Sequence, residues 1–226
     1  MFFSQLALYE QAILALAAVV LLLTFLMLVH PRILSVIKLF AWQGLAVAAT
    51  TALVAYDANA PHLYISALLT LLLKAFFIPW LLLRMVDRFD LHQELDSLSH
   101  PVLVLFGGII LVVFCYHTTL PVAAQLTAIT HNVVAICMSV VLLGMVMLIS
   151  RRKAVTQVVG FMALENGLFF AAVAVTEGMP MVVELGVAFD VLVAAIIFGI
   201  FFLHLRQSID SLDTSRLSRL SERERD

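Results

Sequence analysis

Residues 6–29 read LALYEQAILALAAVVLLLTFLMLV, an apolar run in which Glu10 is the only charged residue. A helix that spans the hydrocarbon core of a bilayer needs about 20 mostly apolar residues, and this run is long enough. No Lys or Arg precedes it, and it exceeds the apolar core of a signal peptide, which is about 7–15 residues long. We therefore predict an uncleaved membrane-spanning helix.

Six further apolar runs follow, so the sequence predicts an all-α integral membrane protein with seven transmembrane helices. The composition agrees, because 63% of the 226 residues are hydrophobic and 12% are charged, whereas soluble domains have about 45–50% and about 25%. The predicted spans are 6–29, 33–55, 63–84, 102–119, 130–149, 155–176 and 180–205. Residues 1–206 thus form one membrane domain. The tail, 207–226, is either an amphipathic surface helix or a frayed terminus.

The basic residues of the loops all fall on one side of the predicted membrane. This set contains every one of the 13 Lys and Arg residues except Lys74, which lies in the middle of the third span. Cytoplasmic loops carry an excess of Lys and Arg. We therefore predict an N-terminus outside and a C-terminus in the cytoplasm.

Four polar residues fall near the midpoints of different spans, namely Gln43, Lys74, Glu165 and Asp190. Glu184 precedes Asp190 by six residues and lies nearer the outer surface. A charged side chain at the bilayer centre costs about 2.5–3.5 kcal/mol on insertion scales, so such residues usually face a bundle interior or water.

Two interpretations of these midpoint residues remain open. Polar side chains hold spanning helices together through hydrogen bonds or ion pairs, and they also form the proton relays of pumps and transporters. For Gln43 alone we favour the packing role. For the ionisable residues we favour a relay, with Gln43 as a hydrogen-bond link between helices.

Pro79 follows Lys74 by about one turn and leaves the carbonyl of Ala75 without its helical partner. We expect a kink in the third span, which either admits a water molecule or serves packing alone. Cys115 and Cys137 lie in apolar runs without the spacing of a metal site, and we interpret both as core residues.

The residue types exclude several functions. The net charge of −2 gives no basic face for nucleic acid. We find no metal-ligand spacing, phosphate-binding loop or nucleophile motif. The sequence predicts no cofactor and no small-molecule substrate in this chain, and the lipid bilayer is the first partner it implies.

The two halves of the chain share a layout. Gln43-Gly44-Leu45 in span two is echoed by Asn166-Gly167-Leu168 in span six. Either the echo is chance, or three-helix parallel repeats near 1–88 and 130–206 are joined by a linking helix, as in many transporters.

Two segments carry a resemblance to a known family: GFMALENG at 160–167, and MPMVVELG at 179–186 followed by Asp190. Over nearly the whole chain, the sequence resembles the hydrogenase-4 component E family, a membrane subunit of group 4 [NiFe]-hydrogenase and formate hydrogenlyase-type complexes. Its last three helices are similar to the three-helix K-type subunit of respiratory complex I. By position, Glu165 matches the second-helix acid of that subunit, and Asp190 or Glu184 takes the place of the third-helix acid.

The resemblance implies a subunit without a redox centre, in the plasma membrane of a bacterium or archaeon. Antiporter-like and other membrane subunits would be its partners, and the nickel-iron and iron-sulfur centres would lie in partner subunits. The first half departs from the K-type pattern, since Gln43 and Lys74 stand where acids would be. Two alternatives remain: a structural scaffold without its own proton path, and a subunit of a multi-subunit cation/proton antiporter.

Overall fold

The chain folds into long apolar helices. The computed structural model describes residues 8–58, 61–88, 101–121, 128–175 and 185–200, and it contains no strand within these ranges. The helices are α1 (Leu8–Val29), α2 (Ile33–Asp57), α3 (Pro61–Arg88), α4 (Pro101–Thr119), α5 (Ala128–Ser150), α6 (Ala154–Val175) and α7 (Leu185–Ile200). Helices α1 to α6 are each long and apolar enough to cross a membrane, and α7 is a shorter apolar helix. The protein is therefore a multi-pass membrane protein, as predicted.

Helices α2 and α6 form the centre of the bundle. They are the most buried of the six long helices, whereas α4 is the least buried. Helix α2 packs against α1, α3 and α6, and α6 packs most extensively against α5. The buried apolar core draws on five helices; it includes Ala17, Val47, Leu63, Val140 and Phe170. Polar side chains on α2 and α6 are therefore more often shielded from lipid than those on the other long helices.

Small residues let these helices approach each other closely. Lipid tails are as apolar as leucine, so spanning helices associate through close packing and hydrogen bonds rather than through the hydrophobic effect. A Cβ at Gly144 on α5 would lie 2.7 Å from the backbone nitrogen of Leu164 on α6. Only glycine allows the two backbones to meet at this distance, and the contact is one residue away from Glu165.

Helix α3 changes its winding halfway along. An α-helical segment (Pro61–Thr70) is followed by a π-helical segment (Leu71–Phe77) and then by a second α-helical segment (Ile78–Arg88). The amide of Ile78 bonds to the carbonyl of Leu73, five residues back. Pro79 has no amide hydrogen to donate, so the wider turn lies where regular α-helical bonding fails. A π segment therefore directly precedes Ile78 and Pro79 in the span where we predict a kink.

The chain divides into two compact units, residues 1–190 and 191–226. The first unit contains α1 to α6 and the start of α7 through Asp190. The described part of the second unit, residues 191–200, is helical. The predicted tail, 207–226, and the loop between the third and fourth spans lie outside the described residues.

Candidate functional site

Lys74 lies at the middle of the π segment, with its side chain fully buried. Gly44 on α2 faces it: a Cβ at position 44 would lie 2.9 Å from Lys74 Cβ and 3.0 Å from the Lys74 carbonyl carbon and oxygen. The contact between these backbones leaves no space for a larger residue. The position of Lys74 is thus set by both the π turn and the α2 backbone.

The ammonium group of Lys74 lies between two carboxylates from different helices. Lys74 Nζ forms an ion pair and hydrogen bond with Glu165 Oε2 on α6, and it lies 3.2 Å from Asp190 Oδ1 on α7. The Glu165 side chain is 9% exposed, and the Lys74 and Asp190 side chains are fully buried. We call these three residues the ion triad. With all three groups ionised, the triad carries a net charge of −1.

The aromatic ring of Phe169 forms another side of this site. Lys74 Nζ lies 5.0 Å from the ring centroid, within the range of a cation–π interaction. Phe169 is one turn after Glu165 on α6, so both side chains face the same direction. Gly186, near the start of α7, lies against the same ring. Phe169 therefore contacts both the lysine and the helix that carries Asp190.

A chain of neutral hydrogen bonds continues the polar layer towards α1. Asn166 Nδ2 donates to Gln43 Oε1 at 3.0 Å, and Gln43 Nε2 donates to Thr24 Oγ1 at 2.9 Å. Thr24 Oγ1 donates in turn to the carbonyl of Val20 at 2.7 Å. All three side chains are buried. Because Asn166 follows Glu165 directly, this amide chain begins beside the ion triad.

Several buried oxygen atoms near the triad have no hydrogen-bond partner among the described residues. They are Thr70 Oγ1, Asn166 Oδ1 and both carboxylate oxygens of Asp190. The 3.2 Å contact between Asp190 and Lys74 is therefore an ion pair without hydrogen-bond geometry. Buried polar groups are nearly always satisfied by protein or ordered water, and roughly three polar partners are typical for a buried water. These oxygens are suitable positions for such water molecules.

A pocket of about 300 Å³ is formed by α6 and the start of α7, and Glu165 is one of its lining residues. Among the described residues, Glu165 is the one charged residue of the lining, and the others are Leu168, Phe169, Ala172, Leu185, Gly186 and Phe189. Leu168 and Leu185 at its rim are exposed, at 55% and 71%. Of the two acids in the triad, Glu165 alone lines this pocket.

A second buried cation, Arg151, lies in the connection between α5 and α6. Arg151 Nη2 donates to the carbonyls of Leu28 at 2.7 Å and His30 at 3.1 Å, at the end of α1. Leu28 lies in the last turn of α1, where carbonyls have no partner within the helix, and His30 follows the end of α1. Arg151 therefore holds two connections of the bundle together, a structural role that we did not predict from its place among the loop cations.

The predicted site residues come together in part. Lys74 is in direct contact with both Glu165 and Asp190. Gln43 links α1, α2 and α6 by hydrogen bonds. Glu184 lies outside the described residues. Cys115 and Cys137 are free and buried, as predicted.

Four participants were missed by sequence reasoning: Thr24, Thr70, Asn166 and Phe169. Asn166 had a usable signal, because it follows the midpoint acid directly. The two threonines and the phenylalanine resemble ordinary residues of an apolar helix. Within the described ranges, no three His, Cys, Asp or Glu side chains gather in a way that could hold a metal ion.

The fold and the site together define a multi-pass membrane protein with a buried ionisable centre. The chain is 34% identical to the uncharacterized protein Rv0085 of Mycobacterium tuberculosis over 191 residues. These aligned residues are 83% of this chain and 86% of that relative. It belongs to the same family as Rv0085.

More distant relatives carry a functional name. Hydrogenase-4 component E of Escherichia coli K12 is 21% identical over 181 residues, which is 80% of this chain and 84% of the relative. The proteins of that name from Escherichia coli O157:H7 and Shigella flexneri match equally well. No model of a protein family matches the sequence, and no solved structure matches it.

Proposed function

We propose that this chain is a membrane subunit of a group 4 [NiFe]-hydrogenase or formate hydrogenlyase-like complex. The similarity to hydrogenase-4 component E over 80% of the chain supports this assignment. The chain would lie in the plasma membrane of a bacterium or archaeon, with its N-terminus outside and its C-terminus in the cytoplasm. Antiporter-like and other membrane subunits would be its partners, and the nickel-iron and iron-sulfur centres would belong to partner subunits.

Within this complex, the chain contributes to proton translocation through the ion triad, with Glu184 towards the outer side. The observation that carries this proposal is the contact of one buried ammonium with two buried carboxylates. A net charge of −1 is unfavourable in a low-dielectric interior, and one added proton makes the triad neutral. A site that alternates between these two states binds and releases one proton.

The surroundings of the triad support transfer to and from it. Asp190 has two carboxylate oxygens without hydrogen-bond partners in the described part of the chain, so a proton or a water molecule has a place to bind. Thr70 precedes Lys74 by four residues and Asn166 adjoins Glu165, and each has a buried oxygen without a hydrogen-bond partner among the described residues. Amide groups do not exchange protons readily. Gln43 therefore orients Asn166, whereas the ionisable groups hold the proton.

The test compares proton pumping in vesicles that contain the assembled complex. In Glu165→Gln or Asp190→Asn, the remaining acid and Lys74 form a neutral pair, so we expect the loss of most pumping at equal assembly. Glu10→Gln is the matched control, because Glu10 is a carboxylate on α1 outside the triad, and it should pump as wild type. Unchanged pumping in both triad variants would refute the relay. Loss of assembly without any specific loss of coupling would instead support the structural scaffold.

A further inference from the structure

The ion triad has the arrangement of a cation-binding site whose cation is part of the protein. Three electron-rich groups surround Lys74 Nζ: the Glu165 carboxylate in direct contact, the Asp190 carboxylate at 3.2 Å and the Phe169 ring at 5.0 Å. Carboxylate oxygens are also the preferred ligands of hard metal cations. The position of Nζ between the carboxylates is therefore the one that a small metal cation would take.

The lysine is held in this place by its backbone. Lys74 lies in the π segment, and Gly44 packs directly on its backbone atoms. Lysines near the ends of spanning helices extend their ammonium groups towards water, but Lys74 is fully buried in the middle of α3. Without the ammonium, two adjacent buried carboxylates would face each other, and charges of this kind must be paired or neutralised.

A proton and a metal ion differ in what they require here. A metal ion needs the space between the carboxylates, which Nζ occupies. A proton needs one carboxylate oxygen, and both oxygens of Asp190 have no hydrogen-bond partner among the described residues. We propose that the Lys74 ammonium is the tethered occupant of a two-carboxylate cation site and restricts that site to protons by excluding alkali metal ions.

This inference rests on the proposed function only for the identity of the transported ion, and its test measures binding rather than pumping. The purified full chain is unfolded by heat in detergent, in sodium chloride or in choline chloride at equal ionic strength. A ligand that binds the folded state raises the unfolding temperature in a saturable way. We expect no difference between the salts for wild type, and for Lys74→Met a rise of about 2–4 °C in sodium.

Two further variants locate the effect. Lys74→Arg keeps a tethered cation and should not respond to sodium. Lys74→Met combined with Asp190→Asn removes one of the two ligands and should lose the response. If Lys74→Met does not fold, Lys74→Gln takes its place, since it keeps a polar group towards the carboxylates.

Three results would overturn the proposal. The first is a folded Lys74→Met or Lys74→Gln chain without a sodium-specific rise. The second is a sodium-specific rise in wild type, which would mean that the lysine excludes nothing. The third is a rise that persists in the double variant, which would place sodium binding elsewhere. None of these results depends on whether the complex pumps protons.

Discussion

Gly44 on α2 lies directly against the backbone of Lys74 on α3, and this contact fixes the distance between the central helix and the π segment. Small residues are common at the interfaces of membrane-spanning helices, whereas a fully buried lysine is rare. Gly44 and Lys74 bring these two features into one contact. The stability of the bundle and the geometry of the site therefore depend on the same pair of residues.

Replacing Gly44 by alanine is expected to destabilise the protein. The added Cβ would lie 2.9 Å from Lys74 Cβ, so one of the helices must move, and overpacking of this kind costs about 1–3 kcal/mol. The measurement is the free energy of unfolding in detergent. Gly107→Ala is the control, because nothing lies within 4 Å of that Cβ, and it should be neutral or stabilising by up to about 1 kcal/mol. Equal effects of both substitutions would contradict the packing argument.

Gln43→Leu should destabilise the bundle, because it leaves Thr24 and Asn166 without their shared partner. Interhelical hydrogen bonds in membranes contribute about 0.6–2 kcal/mol, and a loss in this range is expected in the same unfolding assay. Thr51→Val, also buried on α2, removes a hydroxyl that donates only to Val47 of its own helix at 3.0 Å. It should cost less than Gln43→Leu, and the reverse order would argue against a role of Gln43 between helices.

Arg151→Gln should lower the free energy of unfolding by about 1–3 kcal/mol, because a buried carbonyl that loses its charged donor remains desolvated without a hydrogen bond. The substitution removes the donor to the carbonyls of Leu28 and His30. Arg152→Gln changes the neighbouring residue, which is exposed, and should have little effect. If the two substitutions were equally harmful, loop charge rather than the buried contact would explain the loss.

An apolar carbodiimide should modify Glu165 and spare Asp190. Both are buried acids of the ion triad, but Glu165 lines the 300 Å³ pocket and Asp190 does not. Mass spectrometry of the labelled protein in vesicles identifies the modified residue. Ala172→Phe fills the pocket and should reduce labelling several-fold, whereas Ala18→Phe on the exposed side of α1 should not. Preferential labelling of Asp190 would show that the pocket is not the route to the triad.

Pro79→Ala should reduce proton pumping more than it reduces assembly. An amide at position 79 allows regular α-helical bonding through the π segment, and this change of winding would rotate Lys74 relative to the flanking segments. Pro61→Ala is the control, since proline in the first turn of a helix replaces no intrahelical bond, and it should behave as wild type. Pumping at the wild-type level in Pro79→Ala would mean that the contact with Gly44, and not the proline, maintains the position of Lys74.

Six spanning helices within the described residues could be predicted, with approximate bounds, because apolar length alone identifies a spanning segment. Helix α1 ends at Val29, as predicted, and Ile33–Asp57 lies within two residues of the predicted limits. The π segment could not be predicted, because it depends on both the missing amide of Pro79 and the contact with α2. Periodicity within one helix contains no information about its neighbours.

For the candidate site, the depth of each residue in the membrane could be predicted, but its contacts could not. The position of a residue along a span gives its depth, so Lys74, Glu165 and Asp190 could be assigned to one layer. Which helices are neighbours cannot be read from depth, so the sequence alone does not decide which acid Lys74 pairs with, and the structure shows contacts with both. Asn166 was not recognised as a member because Glu165, directly before it, already accounted for the polar midpoint of that span.

The short distances within the ion triad determine its response to membrane voltage. Moving one charge across the whole membrane is worth about 2.3 kcal/mol per 100 mV, over a hydrocarbon core about 30 Å thick. Lys74 Nζ and Asp190 Oδ1 are 3.2 Å apart, about a tenth of this thickness. Even if a proton moved between them straight across the membrane, the voltage would change its free energy by only roughly 0.25 kcal/mol per 100 mV. Voltage therefore acts on the delivery and removal of protons, and exchange within the triad proceeds almost independently of it.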